Sequence, residues 1–394
     1  MRFTRTLAVS FALISATSVM AQTVPCGGDF NTFKSDMEAE AVLNGFDAGA
    51  AAQFFAGVRR DPATIKADRR QGVFQLPFVD FSRRLISAGR INNGKANGQK
   101  WDSVFSNIEA TYGINRGVLL AFWAFETDYG AIQGDFNTVN SLVTLAHDCR
   151  RPELFRPQVF SALELFERGD LDPARTTGAW AGEIGMVQML PGDILENGID
   201  ADGDGVVSLK TSAPDALTSG AAMLSDLGWR PDEPWIQEVV VPSDLDWSLT
   251  GLDTTKTPEE WASLGVRARD GDFAAGSLPT SIILPQGRNG PAFLAYPNFG
   301  VYFEWNQSFV YVLTAAYFAT RLEGAQVYDA GNPTPPLSDN EMKALQQRLT
   351  DLGYDVGDID GILGAGTRNA VQKVQQELGL PADAWPTREL LQRL

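Results

Sequence analysis

The chain runs to 394 residues, 44% hydrophobic and 21% charged, with a formal net charge of −17. That composition suits folded domains with ample material for a core, and the length favours two or three of them. The acidic balance excludes the basic footprint of a nucleic-acid binder and gives no support for binding to anionic membranes.

Residues 1–21 have the layout of a secretory signal peptide, with Arg2 and Arg5 ahead of a short apolar run from Leu7 to Ile14 and Val19-Met20-Ala21 as the cleavage site. The apolar run is too short for a permanent membrane span. Thr23-Val24-Pro25-Cys26 does not resemble a lipoprotein box. The expectation is therefore a periplasmic protein without membrane span or lipid anchor, its mature chain starting near Gln22. In an oxidising compartment Cys26 and Cys149 are expected to pair, the alternative being two buried thiols. A lone histidine, His147, excludes any site needing two, and no nucleophile-elbow pattern accompanies it.

Further along, Phe30, Phe33, Met37 and Ala41 recur at helical spacing. Asp47 precedes an alanine-rich helix containing Phe54 and Phe55, and Asp61-Pro62 reads as an N-cap followed by proline at the first helical position. Trp101 to Tyr112 predicts an amphipathic helix with Val104, Phe105 and Ile108 inward. Eight apolar residues then lie between Gly117 and Glu126, a run that reads better as a buried helix than as a strand, with Gly130 as its stop. Glu126 thus falls near the C-terminal end of an apolar helix, sharing a face with Phe122, Trp123 and Tyr129. Apolar neighbours and the negative helix end both oppose its charged form, so a raised pKa is expected, as a general acid for a glycosidic bond requires. On spacing alone, a Glu pointing into solvent has the edge.

Residues 153–168 continue the helical pattern. Asp200-Ala201-Asp202-Gly203-Asp204-Gly205-Val206 places carboxylates at positions 1, 3 and 5 and Gly at 6, the opening of an EF-hand calcium loop, with the Val206 carbonyl at position 7. Position 12 is Thr211, which cannot supply the bidentate carboxylate; Asp215 could do so in an enlarged loop. A solvated Asp-Gly turn is the plain alternative. Between about 229 and 300, proline, glycine and aspartate multiply, and Thr280–Leu284 and Ala292–Tyr296 flank Gly287-Arg288-Asn289-Gly290 as a hairpin. A helix from about Gln307 to Glu323 follows, and Gly331-Asn332-Pro333-Thr334-Pro335-Pro336 reads as a semi-rigid linker to a C-terminal module.

Taken in order, Tyr112-Gly113-Ile114, Phe122-Trp123-Ala124-Phe125-Glu126-Thr127-Asp128-Tyr129-Gly130, Gly182-Glu183-Ile184-Gly185-Met186-Val187-Gln188-Met189-Leu190-Pro191 and the Asp-rich loop resemble the membrane-bound lytic transglycosylase B family. The likeness continues through Ile283–Gly287, Gly290–Leu294, Tyr296–Phe299 and Trp305-Asn306, and spans nearly all of 28–325. It implies a mainly α (α+β) protein: a lysozyme-like helical core with a calcium loop and a small β-containing insertion. It also implies cleavage of the β-1,4 bond between N-acetylmuramic acid and N-acetylglucosamine in peptidoglycan. Glu126 would be the sole catalytic carboxylate, first protonating the leaving oxygen and then deprotonating the muramic C6 hydroxyl, which closes a 1,6-anhydro ring. Gln188 and Asn306 match groove-lining positions, and Tyr112 and Trp305 are read as sugar platforms. Their plain alternatives are Gln188 capping its own turn, Asn306 capping the next helix and Trp305 as core. Four positions depart from the family pattern: Ala179 where Ser is usual, Glu183 where Ala is common, and the pair Met186-Val187 where an aromatic is common.

The C-terminal module, through Leu345–Leu349, Leu352-Gly353-Tyr354, Asp360–Gly364, Thr367-Arg368 and Leu378–Pro381, resembles the three-helix peptidoglycan-binding domain. Leu345, Leu349, Leu352, Val371, Val374 and Leu378 are its expected core. The resulting division is signal peptide 1–21, catalytic domain 22–326, linker 327–336 and wall-binding domain 337–394. The expected function is lytic transglycosylation on peptidoglycan glycan strands, with a structural calcium ion, no organic cofactor, and cell-wall synthesis or remodelling proteins as further partners. A muramidase-type hydrolase and a non-catalytic wall-binding scaffold remain the alternatives.

Overall fold

The computed structural model describes residues 25–70 and 76–394; the signal-peptide segment lies outside them. Three short helices open the chain, α1 (Phe30–Leu43), α2 (Ala48–Ala56) and α3 (Pro62–Asp68), each entered through an aspartate whose carboxylate accepts a first-turn backbone N–H. Then come α4 (Phe78–Leu85), α5 (Ala88–Lys100), α6 (Asp102–Tyr112) and α7 (Arg116–Thr127). The strand β1 (Phe136–Asn137), α8 (Thr138–His147), α9 (Pro152–Arg168) and β2 (Thr177–Gly178) follow, with β1 and β2 antiparallel. Helices α10 (Pro191–Asn197) and α11 (Ala213–Asp226) flank the Asp-rich loop.

The insertion is a small antiparallel sheet of β3 (Ile236–Val240), β4 (Arg267–Ala268), β5 (Ser281–Ile283) and β6 (Phe293–Ala295), in the order β4-β3-β6-β5, with α12 (Pro258–Ser263) against it. The expected hairpin is β5–β6, with Ile282 opposite Leu294. Helices α13 (Pro297–Trp305) and α14 (Phe309–Leu322) return to the helical body, and α15 (Asp339–Asp351), α16 (Ala365–Glu377) and α17 (Arg388–Arg393) form the terminal module. The molecule is mainly helical with small sheets, as the sequence implies. Among the described residues, no helix is long and apolar enough to cross a membrane.

Two apolar clusters build the helical body. One gathers α1, α2, α8, α9 and α10; the other gathers α6, α7, α11, α13 and α14. Helix α7 is its axis: every residue from Gly117 to Ala124 is buried. Helix α14 packs along it so closely that a Cβ on Gly117 would lie 2.9 Å from the Ala319 carbonyl oxygen. Met186 and Trp305 are half-buried and touch both clusters, so the seam between them is lined from each side. A disulfide joins Cys26 to Cys149, fastening the N-terminal segment beyond α8.

Several boundaries differ from the sequence reading. Helix α7 stops at Thr127, before Gly130, because Asp128 and Tyr129 already take left-handed backbone (φ 52° and 61°). Helix α14 begins at Phe309, since Asn306 to Ser308 form its entry turn. In the terminal module, Leu345, Leu349, Val371 and Val374 are core, but Leu352 (59% exposed) and Leu378 (37% exposed) are not. Both are helix C-caps from which the chain turns away, at Gly353 and Gly379, and Leu337, Met342, Val356 and Leu390 fill the core instead.

Candidate active site

Glu126 occupies the last turn of α7 and reaches the seam between the two clusters. Two donors from distant sequence converge on its Oε1: Trp305 Nε1 at 3.1 Å, from the end of α13, and the Tyr311 hydroxyl, from the first turn of α14. An oxygen receiving two hydrogen bonds is a poor place for a proton, so Oε2 is the oxygen suited to carry one. The indole of Trp305 stacks on Phe122 at 4.3 Å and 26°, and Phe122 stacks on Tyr302, which fixes the indole N–H toward Glu126. Tyr311 meets Phe125 edge-on. Thus α7 supplies both the carboxyl and, at positions 122 and 125, the rings that orient its donors.

Burial is the main reason that Glu126 resists ionisation, and its pKa is pushed up to about 7. The Tyr311 and Trp305 donors pull the other way by stabilising the anion, and the Glu183 carboxylate pushes up again. Glu183 is itself enclosed, its pKa raised by burial, and its Oε2 is buried with no partner among the described residues. Tyr311 is held far from ionisation by burial and by the nearby carboxylate, so it keeps its proton and donates a hydrogen bond to Glu126. Glu126 is half-buried rather than turned out to solvent as spacing alone favours, and its cover comes from Trp305 and Tyr311, 179 and 185 residues away.

The loop from Gly182 to Leu190 forms the facing wall. Met186 O accepts the Thr127 hydroxyl at 2.6 Å, which ties the loop to the end of α7, and Met186 N donates to Leu209 O. Gly185 (φ 83°) comes so near Leu209 that a Cβ would lie 2.4 Å from it. Gln188, with φ 54°, donates its side-chain amide to Gly185 O at 2.7 Å and so braces this turn. Asn306 Oδ1 accepts Ser308 N at 2.9 Å, setting the entry to α14 between Trp305 and Tyr311. Glu126 and Trp305 therefore meet directly, while Asn306 and Gln188 stand on the segments that frame them. Tyr112 does not join them: it ends α6, beside the start of α7, about 15 Å of helix from Glu126. Ala179 closes a backbone turn, its N–H donating to Glu183 O at 2.9 Å. Tyr311 escaped the sequence reading; its place two residues into a helix that begins just past Trp305-Asn306 was the available signal.

At the Asp-rich loop, Asp200, Asp202 and Asp204 each offer a carboxylate oxygen within 4.8 Å of the others. That spacing and an all-oxygen donor set fit one hard cation such as calcium. Exposed Val206 follows directly. Asp215 is fully buried beneath the loop, where Oδ1 accepts Ala201 N and Asp202 N and Oδ2 accepts Ser208 N. It braces the loop from below.

The Transglycosylase SLT domain family matches residues 29–320, and the peptidoglycan binding domain family matches residues 338–394. Among solved structures, SltB3 from Pseudomonas aeruginosa in complex with NAG-anhNAM-pentapeptide is 34% identical with a TM-score of 0.85, the match covering 93% of this chain and 99% of that one. Its complex with NAG-NAM-pentapeptide matches equally well. Escherichia coli Slt35 in complex with calcium shares the fold at 20% identity and a TM-score of 0.64, covering 76% of this chain and 96% of that one. Membrane-bound lytic murein transglycosylase B of Escherichia coli K12 is 24% identical over 153 residues, which are 39% of this chain and 42% of that protein, so the match spans less than half of that relative.

Proposed function

This chain belongs to the transglycosylase SLT family, with a C-terminal peptidoglycan binding domain, and on that premise we propose that it is a lytic murein transglycosylase acting in the periplasm with Glu126 as its acid and base. One observation carries the reading: a carboxyl enclosed at the seam, its pKa near 7, with two donors on one oxygen and the other left for a proton. Protonated Oε2 gives its proton to the glycosidic oxygen as the bond to C1 breaks. The new carboxylate is stabilised on Oε1 by Tyr311 and Trp305, which strengthens the leaving step. It then takes the proton of the muramic C6 hydroxyl as that oxygen bonds to C1, giving the 1,6-anhydro end. The substrate's acetamido group supports the positive charge at C1, so no second carboxylate is required.

Trp305, Asn306 and Gln188 would border the sugars at the scissile bond, and Tyr112 a sugar farther along the groove. Calcium would be held by Asp200, Asp202, Asp204 and the Val206 carbonyl, with Asp215 behind them, as structural support. The C-terminal module would hold the enzyme on the wall.

Mass spectrometry of digested murein sacculi tests the reading. Anhydro-muropeptides are expected from the wild type and none from Glu126→Gln. Glu183 favours one rival: a second enclosed carboxyl beside Glu126 could activate water. Reducing muramic ends in place of anhydro ends would establish that hydrolase instead. Equal, negligible release by wild type and Glu126→Gln would leave a wall-binding scaffold.

A further inference from the structure

The terminal module is not hung from a tether; it is docked. Arg288 donates from N and Nη1 to Asp383 Oδ2, Gln372 Nε2 to Thr250 O at 2.8 Å, Asn369 Nδ2 to Asp253 Oδ2, and Arg368 Nη2 to Pro285 O at 2.9 Å. Gly287 lies so close to Trp385 that a Cβ there would be 2.7 Å from the tryptophan's own. The connecting segment is fastened as well: Tyr328 is buried in the catalytic core and its hydroxyl pairs with Ser82 Oγ.

Arg368 is the unusual member of this set. Its guanidinium lies 4.5 Å from the centre of the Phe309 ring, and its Nε is buried with no partner among the described residues. Burial brings its pKa down to about 10, with the Asp383 charge opposing, so it remains a cation. Enclosing a cation against an aromatic face and one carbonyl is expensive unless the contact does something. Phe309 begins α14, and the span it belongs to carries Trp305 and Tyr311, the two donors on Glu126. On its outer side this span borders a cleft of about 380 Å³ lined by Phe309, Val310, Leu337, Met342, Leu363 and Arg368. Open space there leaves the span to be held by the contacts that cross it.

We propose that Arg368 is a positioning residue: by clamping Phe309 from the docked module it holds the 305–311 span, and with it the Trp305 and Tyr311 donors, in place on Glu126. The wall-binding module is then part of the catalytic apparatus, and a change in its docking is felt at the carboxyl. This rests on the transglycosylase reading above.

The test uses the full chain with Arg368→Ala, Arg368→Lys and Phe309→Leu, assayed on soluble peptidoglycan oligosaccharides and by co-sedimentation with sacculi. Arg368→Ala should lower kcat about tenfold per folded enzyme, with KM and sacculus binding unchanged. Arg368→Lys, which keeps a cation over the ring, should recover most of that loss. Phe309→Leu should lose as much as Arg368→Ala, and the two together no more than either alone. The 305–311 span supplies both the burial that raises the Glu126 pKa most and the two donors that lower it less, so loosening the whole span should move the kcat–pH midpoint down, toward the ordinary carboxyl value, whereas Tyr311→Phe, which keeps the cover, should move it up. An unchanged kcat, or a loss confined to KM or sacculus binding, overturns the proposal. If Arg368→Ala does not fold, Phe309→Leu decides by the same readouts. A wild type that makes no anhydro product fails the functional reading alone. The positioning role is then read from the Glu126 pKa, taken from the pH dependence of the stability gap between wild type and Glu126→Gln, which Arg368→Ala should shrink and an uninvolved residue would leave unaltered.

Discussion

Replacing Glu126 by Gln should stabilise the protein, and should do so only where the pH makes it costly to keep the carboxyl ionised. The ordinary carboxyl value is 4.5 and the folded value about 7. Below the ordinary value both states hold the proton and the enclosed carboxyl costs nothing. As pH rises, the unfolded chain ionises first, and the folded state falls behind until its own carboxyl ionises near 7. With one pKa unit worth about 1.4 kcal/mol, the deficit is about 1 kcal/mol at pH 5 and about 3 kcal/mol at pH 8. Gln keeps an oxygen to accept from Trp305 Nε1 and the Tyr311 hydroxyl and carries no charge, so it removes the deficit without losing the contacts. Urea unfolding of both proteins at pH 4, 5, 6.5 and 8 measures the gap directly. A gap that widens with pH and levels off above about 7 is expected. A gap independent of pH, or a Gln variant less stable at pH 8, would refute the claim that this carboxyl is desolvated.

Tyr311→Phe removes one of the two donors to the anion formed in the leaving step; a hydrogen bond to a charged group is worth about 1.5–3 kcal/mol, so kcat should fall roughly 10- to 100-fold. Because that donor lowers the Glu126 pKa, the pH at which kcat declines should move upward, as a pH–rate profile will show. Asp202→Ala combined with Asp204→Ala should lower the melting temperature and make it indifferent to chelator, whereas chelator should lower that of the wild type; a wild type insensitive to chelator removes the ion. Gly94→Ala would set a Cβ 2.5 Å from the Tyr129 hydroxyl oxygen and 2.6 Å from Leu322 Cδ2, so both side-chain ends must shift and the Tyr129 hydroxyl would give up its bond to Arg90 O. A loss of about 1–3 kcal/mol in denaturant unfolding is expected, larger than for an Ala at the open position Gly300.

Local rules account for what was legible in the sequence. The Asp47 and Asp61 caps, the apolar stripe of α6, the buried run of α7 and the β5–β6 hairpin depend on neighbours in the chain, and all appear where the pattern places them. So does the clustering of Asp200, Asp202 and Asp204, because a short loop brings its own carboxylates together. The ordered motifs carried the family and the fold class.

What the tertiary structure alone decided is the state of Glu126. Along its own helix the residue is a glutamate near an end, and spacing leaned toward solvent. Its enclosure, its two donors and the carboxyl of Glu183 come from segments 57 to 185 residues away, and burial, the main cause of the pKa near 7, is a property of packed surroundings rather than of any neighbour in sequence. The same holds for the docking of the last module. Helical periodicity could indicate Val371 and Val374 as core, but it carried no sign that Arg368, on the same helix, would rest on the ring that begins α14. Periodicity says which face of an element is buried; only the assembled chain says against what.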